Sequence, residues 1–181
     1  TWGSFTMKQL ARRLGWALLL TSAVGTVQAD DTPQSLPFTQ DWTNAGLIST
    51  NDNWSSVPGI VGYRGDGLAG TAGTDPQTVL AADSPGVIDV NANQGNPNTY
   101  TTGGTTEFAI ANPVVALTGS NTAQAPYLLI NLNTSGQSSI NVAYNLRDID
   151  GSTDNAAQPV ALQYRIGNSG SFTNLPAGFV V

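Results

Sequence analysis

Two segments in the second half of the chain, residues 139–148 and 159–167, alternate strictly between apolar and polar side chains. Their apolar positions are Ile140, Val142, Tyr144 and Leu146, followed by Val160, Leu162, Tyr164 and Ile166. Because successive side chains of a strand point to opposite faces, this period of two predicts half-buried antiparallel strands. Matching the apolar faces predicts that the two strands form a hairpin, with Tyr144 opposite Leu162.

The rest of the chain has the composition of a protein built from short strands and turns. Glycine, proline, asparagine, serine and threonine are abundant, and charged residues make up only 10% of the sequence. Further strands are predicted at residues 59–64, 86–90, 105–110, 114–117 and 128–132, and from Phe172 onward. Residues 65–78 and 91–104 are interpreted as surface loops. About eight or nine strands predict an all-β fold, an antiparallel β-sandwich of jelly-roll type with residues 128–167 forming a meander.

The N-terminal segment is typical of a bacterial secretory signal peptide. Its positive charges come first, at Lys8, Arg12 and Arg13, and an apolar run over residues 14–24 follows. This run is shorter than the roughly 18 residues that a membrane-spanning helix needs. Residues 27–29 form a cleavage site of the A-x-A type. We therefore expect a signal-peptide helix within residues 1–29 and cleavage after Ala29.

What remains after cleavage is residues 30–181, which we interpret as a single β-sandwich domain. We expect this domain to be secreted or held at the cell surface, with no membrane attachment after the signal is removed. The chain stops at Val181, inside an apolar stretch with no terminal turn signal. This ending predicts that the C-terminal strands of the sandwich are truncated here and that further domains follow.

Removing the signal changes the charge of the chain. All twelve acidic residues lie after residue 29 but only three of the six cationic ones do, so the exported part has a net charge of −9. Such an acidic surface repels phosphate backbones, which argues against direct nucleic-acid binding by this domain. The chain also has no histidine and no cysteine. Their absence excludes Ser-His-Asp and Cys-His nucleophile arrangements and the usual zinc sites.

The densest acidic cluster lies between the two alternating segments. Asp148, Asp150 and Asp154 stand among serine, threonine and asparagine residues, with Gly151 turning the chain. These oxygens are the ligand type that calcium prefers, although Gly151 falls at the fourth position rather than the sixth position of an EF-hand loop. The same residue types form ordinary turns. The cluster is therefore either a calcium site or a solvated hairpin loop, and no other cofactor is predicted.

Three further features have both a functional and a structural interpretation. The tripeptide Arg64-Gly65-Asp66 resembles an adhesion ligand, but we interpret it as a turn after a strand. Four aromatic side chains could stack on sugar rings or fill the core: Trp42, Trp54, Tyr63 and Tyr100. Core packing is the favoured interpretation for each of them. Glycoside hydrolysis needs a pair of carboxylates. Glu107 is the only glutamate and the sequence nominates no partner for it, so no catalytic residue is predicted.

Several segments taken together resemble a known family. They are residues 36–42 (LPFTQDW), 59–67 (GIVGYRGDG), 144–155 (YNLRDIDGSTDN), 158–167 (QPVALQYRIG) and 169–179 (SGSFTNLPAGF). They resemble the N-terminal β-sandwich region of large secreted bacterial multidomain proteins. Many of those proteins carry an extracellular endonuclease/exonuclease/phosphatase-type nuclease domain, a metallophosphoesterase domain or adhesin-like repeats further along. None of the catalytic His, Asp and Asn pattern of that nuclease family can be placed on this chain.

The resemblance implies a non-catalytic module that presents or targets a downstream domain of the same polypeptide, an extracellular nuclease or phosphoesterase. Two alternatives remain. A carbohydrate- or surface-binding module would bind extracellular polysaccharide or the cell surface, and it predicts aromatic rings exposed in a row on one sheet face. An adhesin-like structural domain would belong to an array of repeats. The leading hypothesis predicts that Trp42 and Trp54 are buried, whereas the carbohydrate-binding alternative predicts exposed aromatic rings.

Overall fold

The computed structural model describes residues 29–71, 73–82, 87–151 and 158–181. Within them lie nine strands: β1 (Gln34–Ser35), β2 (Ile60–Tyr63), β3 (Asn91–Gln94), β4 (Gly104–Phe108), β5 (Val114–Thr118), β6 (Tyr127–Ile130), β7 (Leu132–Asn133), β8 (Val160–Tyr164) and β9 (Thr173–Val180). The same described residues contain three single-turn 3₁₀ helices, at Ala45–Leu47, Pro76–Thr78 and Pro97–Thr99. The prediction of an all-β fold is confirmed. None of the described segments forms a helix with the length and apolarity to cross a membrane. The predicted signal-peptide helix lies outside the described residues.

The strands form four small sheets. The largest has the order β3-β4-β5, and the others are the pairs β2-β6, β1-β7 and β8-β9. The pairs β2-β6, β4-β5 and β8-β9 are antiparallel, as expected. The pairs β1-β7 and β3-β4 are parallel, so the prediction of purely antiparallel pairing is wrong for them. Alternation along one strand specifies which residues share a face, but it does not specify the direction of the partner.

The hydrophobic core surrounds Trp54 and strand β2. Trp54 is fully buried, and Ile60 and Val61 of β2 are 1% exposed. The other buried members of this cluster are Ile48, Val57, Val90 and Ala92. Both faces of β2 are therefore covered, which explains why its sequence is a short continuous apolar run rather than an alternating one. This core fixes the positions of the strand ends that surround the candidate site.

Gly62 allows β2 to lie in direct contact with the neighbouring elements. A Cβ atom at this position would overlap the indole ring of Trp54, and it would lie 2.8 Å from both the backbone oxygen of Asp89 and the Oγ1 atom of Thr105. The backbone N–H of Asp89 donates to the carbonyl oxygen of Gly62 at 3.0 Å. The absence of a side chain at Gly62 therefore brings together β2, the segment before β3, and β4.

The predicted hairpin between residues 139–148 and 159–167 is wrong. Residues 139–148 do not form a strand, and β8 pairs with β9, with Tyr164 opposite Thr173. The segment 139–148 instead contacts β9 through the Tyr144 hydroxyl, which donates to the carbonyl oxygen of Gly178. Its four alternating apolar side chains are 40–54% exposed. The alternation identified side chains that share a face, but β9 rather than this segment supplies the hydrogen bonds of β8.

The remaining strand predictions differ in outcome. The signals at residues 59–64, 105–110, 114–117 and 159–167 and after Phe172 correspond to β2, β4, β5, β8 and β9. The predicted strand at residues 128–132 is divided between β6 and β7, so the expected meander does not form. In the predicted strand at residues 86–90, the described part contributes an isolated bridge between Tyr63 and Ile88. Strand β3 lies inside the predicted loop 91–104, because pairing with β4 rather than strand propensity makes it extended.

Candidate functional site

A polar cavity of about 300 Å³ lies where β2 ends and where β3 and β4 begin. Its polar lining residues are Asn51, Asp52, Arg64, Asp89, Asn91 and Thr102. Two carboxylates, one guanidinium group and two amides therefore converge on one small space. Convergent polar groups in a concave site are the usual signature of a small-molecule site.

Asp89 is the most deeply buried of these residues, being 8% exposed. The backbone N–H of Thr105 donates to its Oδ2 atom at 2.6 Å, and the indole N–H of Trp54 donates to its backbone oxygen at 3.0 Å. Burial raises the pKa of the Asp89 carboxyl group, and the hydrogen bonds from Thr105 oppose that effect. The side chain is thus held rigidly by the core and by the first residues of β4.

Gly104 accommodates this carboxylate beside the start of β4. Its φ is +115°, and a Cβ atom there would collide with the Oδ2 atom of Asp89. The backbone N–H of the next residue, Thr105, can therefore reach the carboxylate directly. The sequence places a glycine where both the backbone conformation and the carboxylate require one.

Asp52 and Arg64 lie on the side of the cavity nearer to solvent. The backbone N–H of Asp52 donates to the carbonyl oxygen of Val90 at 2.9 Å, and its Oδ1 atom accepts from the Val90 N–H at 3.3 Å. Arg64 donates from Nε and Nη2 to the two carboxylate oxygens of Asp66, at 2.8 and 2.6 Å. This bidentate contact is the main reason that the pKa of Arg64 is raised.

The same ion pair argues against an adhesion ligand at the tripeptide Arg64-Gly65-Asp66. Arg64 and Asp66 bind each other, so their charged groups do not project separately as an adhesion receptor would require. The tripeptide directly follows β2, and Gly65 and Gly67 adopt positive φ angles of 72° and 68°. The tripeptide therefore follows a strand as predicted, but Asp66 forms an isolated antiparallel bridge with Ala123 and the turn begins at Gly67, so the prediction of a turn at residues 64–66 is wrong.

Glu107 lies on β4 and is 4% exposed. The backbone N–H of Asn93 donates to its Oε2 atom at 2.6 Å, whereas Oε1 has no hydrogen-bond partner among the described residues. Burial raises the pKa of the Glu107 carboxyl group. Glu107 is not among the residues that line the polar cavity. Its contact to Asn93 stabilises the irregular register between β3 and β4.

The aromatic side chains pack against one another. Trp54 is fully buried, and the half-buried Trp42 contacts it edge to face, with ring centroids 6.3 Å apart. Tyr63 stacks on Tyr127 of the paired strand β6 at 4.9 Å. The ring of Tyr100 contacts Phe108 of β4 edge to face, with ring centroids 5.4 Å apart. The core-packing interpretation is confirmed for Trp54, and Trp42 packs against the core cluster.

The predicted calcium site is described only in part. Asp148 and Asp150 are both exposed, and the backbone N–H of Asp150 donates to the Oδ1 atom of Asp148 at 2.9 Å. The next N–H, of Gly151, donates to the Oδ1 atom of Asn98 at 2.8 Å. Asp154 lies outside the described residues. The described part of the chain contains no group of three or more histidine, cysteine or acidic residues that would hold a metal ion. The calcium site stays a prediction.

The sequence reasoning did not identify the polar cavity. Asp52 and Asp89 are far apart in sequence and belong to no known motif. One signal was nevertheless present, because Asp89 is a single charged residue inside the apolar run Val87, Ile88 and Val90. A lone carboxylate in such a run indicates a buried and partnered side chain.

Comparison of this chain with family models, with curated proteins and with solved structures finds no match.

Proposed function

We propose that residues 30–181 are a non-catalytic β-sandwich module of an exported bacterial protein. The module presents or targets a domain that follows it in the same polypeptide, an extracellular nuclease or phosphoesterase. The observation that carries this proposal is the position of Trp54, which is fully buried and bonded to the backbone of Asp89. Trp54 is thereby the largest fully buried side chain among the described residues, and its ring belongs to the core.

The burial of Trp54 favours this proposal over a binding module that stacks sugars on an aromatic row. Such a module exposes its rings on one face of a sheet, because stacking requires access to the ring face. Here Trp42 meets Trp54 edge to face, and Tyr63 is covered on one face by Tyr127. The internal ion pair of Arg64 and Asp66 likewise gives no support to an adhesion ligand.

The sequence patterns that support export and linkage to a second domain are independent of the fold. The N-terminal segment has the charge and hydrophobicity order of a cleavable leader. The resemblance to the front region of secreted multidomain proteins supports a nuclease or phosphoesterase as the linked domain. The two-layer sandwich is part of this proposal, supported by the burial of consecutive residues of β2, whose side chains point to both faces of the strand.

Export is tested by expressing the full 181-residue chain in a bacterium and measuring the mass of the product outside the cytoplasm. The proposal predicts a mature N-terminus at Asp30. An Ala29→Lys variant is the control, because it changes the cleavage site and leaves the charged and apolar regions intact. Uncleaved protein that stays in the cytoplasm would contradict the proposal.

The absence of catalysis is tested separately with the processed protein. It should not hydrolyse bis(p-nitrophenyl) phosphate or p-nitrophenyl phosphate, with or without divalent cations. Turnover that disappears in Glu107→Gln or Asp89→Asn would show that a buried carboxylate is catalytic and would overturn this part of the proposal. Sequencing the gene beyond codon 181 then tests whether a phosphoesterase or nuclease domain follows.

A further inference from the structure

We propose that the polar cavity binds one sugar ring of a neutral extracellular polysaccharide. The cavity is formed by residues from four separate segments of the chain, and its volume is about 300 Å³. This volume is at the lower end of the range for small-molecule sites, roughly 300–1,000 Å³, and suits a single ring rather than a longer chain. Binding at this cavity goes beyond the proposed function, because presenting a second domain does not require it.

The charges of the cavity favour a neutral, hydroxylated ligand. Asp52 and Asp89 repel anions, and the Arg64 guanidinium group, which is bound to Asp66, offsets only part of their negative charge. The described residues contain no group of three or more acidic side chains that could hold a metal ion, so the cavity lacks the ligand set of a cation site. Sugar hydroxyl groups donate to carboxylates and accept from guanidinium and amide groups, so they match both kinds of partner.

The lining is also preorganised. Asn51 uses its Oδ1 atom to accept from the backbone N–H of Ala92 at 2.9 Å, and Asn91 uses its Nδ2 atom to donate to Thr105 at 3.1 Å. Each amide is fixed to the backbone by one end. The other ends, a donor on Asn51 and an acceptor on Asn91, make no hydrogen bond within the described part of the chain.

Asp89 provides the second observation that points to a ligand. More than nine-tenths of this residue is buried, and Thr105 holds its Oδ2 atom. Its Oδ1 atom accepts no hydrogen bond from the described residues and is not one of the buried atoms that lack a partner, so it is accessible from the cavity. An accessible carboxylate oxygen that is not bonded to the protein can accept from a ligand. A sugar hydroxyl at this position would donate to it.

The proposal is tested by saturation-transfer NMR on the processed full chain with the methyl glycosides of glucose, galactose and mannose. A hexose bound mainly through hydrogen bonds should have a dissociation constant on the order of 1 mM. Binding should discriminate between these sugars, since a site built to bond particular hydroxyl groups rejects isomers that lack them.

Two variants locate the binding. Asp89→Asn keeps the side-chain shape but replaces the free acceptor with a donor, and Asp52→Asn removes a charge at the rim. Each should weaken binding about tenfold or more. Asp31→Asn is the matched control, because Asp31 is exposed and is not among the cavity-lining residues. Melting temperatures show whether each variant is folded, and Asp52→Asn keeps the test valid if Asp89→Asn unfolds.

Three outcomes would overturn the proposal. They are no binding of any glycoside at tens of millimolar, binding that both cavity variants retain, and binding of calcium or inorganic phosphate alone at the cavity. The leader-processing and hydrolysis experiments give independent readouts. A failure of the sugar site therefore remains distinguishable from a failure of the proposed function.

Discussion

Replacing Gly62 with alanine tests the contact on which the core and the cavity both depend. The added Cβ atom would overlap the Trp54 ring and lie 2.8 Å from the backbone oxygen of Asp89 and from Thr105 Oγ1. A backbone oxygen does not move as easily as the end of a flexible side chain, so β2 and β4 must separate. Overpacking of this kind costs about 1–3 kcal/mol, and three simultaneous contacts place Gly62→Ala near the upper value.

Gly95→Ala is the matched control for this substitution. A Cβ atom at Gly95 meets no other atom within 4 Å, and its φ is not positive. This variant should be neutral or stabilised by up to about 1 kcal/mol, because alanine reduces the entropy of the unfolded chain. For a domain of about 150 residues, each kcal/mol shifts the melting temperature by roughly 2–4 °C.

Calorimetry of the two variants therefore gives a direct comparison. Gly62→Ala should melt about 6–12 °C below the unsubstituted protein, given a cost of about 3 kcal/mol. Gly95→Ala should melt at or slightly above it. If the two variants melt within about 2 °C of each other, β2 does not pack closely against Trp54 and β4, and the reasoning is refuted.

Three other predictions concern charge. Lowering the pH from 7.5 towards the ordinary carboxyl pKa of about 4 should raise the melting temperature. Burial raises the pKa values of Asp89 and Glu107, so above the ordinary carboxyl value of about 4 the folded state binds more protons than the unfolded state. The free energy of unfolding therefore falls as the pH rises through this window. Glu107→Gln should flatten the plot of melting temperature against pH. A melting temperature that rises with pH would contradict the raised pKa values of the two buried carboxyl groups. Calcium should raise the melting temperature if the acidic loop binds it, and Asp148→Asn should remove that increase. Equal melting temperatures in excess calcium and in chelator would rule out a stabilising calcium site in the loop. Arg64→Gln should cost less than about 1 kcal/mol in a urea titration, because its ion pair with Asp66 is partly exposed to solvent, with 45% of the Arg64 side chain and 29% of the Asp66 side chain accessible. A loss of several kcal/mol would show that the pair is structurally essential.

The composition and the apolar patterns of the sequence were sufficient to predict the fold class. Turn-forming residues and short apolar runs predicted β2, β4, β5, β8 and β9, because those strands carry the side chains that a pleated surface favours. Strand pairing was harder to predict. Residues 139–148 have a strong alternating pattern and still form no strand, since pairing depends on which segment the tertiary structure brings alongside.

The candidate site was the part least accessible to sequence reasoning. Strand β3, with the sequence Asn-Ala-Asn-Gln, has almost no intrinsic strand preference and depends on β4 for its conformation. Asp52 and Asp89 meet because a backbone pair joins Asp52 to Val90. The β3–β4 pairing and the Asp52–Val90 hydrogen bonds both join residues that are distant in the chain, so no short sequence pattern predicts them. The sequence showed only that Asp89 is a charged residue within an apolar run.

The buried carboxylates of the β3-β4 region have a structural consequence. Asp89 and Glu107 each accept a hydrogen bond from a backbone N–H on a neighbouring segment, at Thr105 and Asn93 respectively. Hydrogen bonds to charged groups are stronger than neutral ones, so these contacts offset part of the cost of burial. They hold the two strands whose ends form the cavity, which links the stability of this region to the geometry of the site.

The central claim is that the large aromatic side chains build the core rather than a sugar-stacking surface. The most direct test is hydrogen exchange at the indole N–H of Trp54, measured by NMR on the processed protein. Because this group is fully buried and donates to Asp89, we predict exchange only through global unfolding. An indole N–H that exchanges as fast as that of free tryptophan would contradict the account.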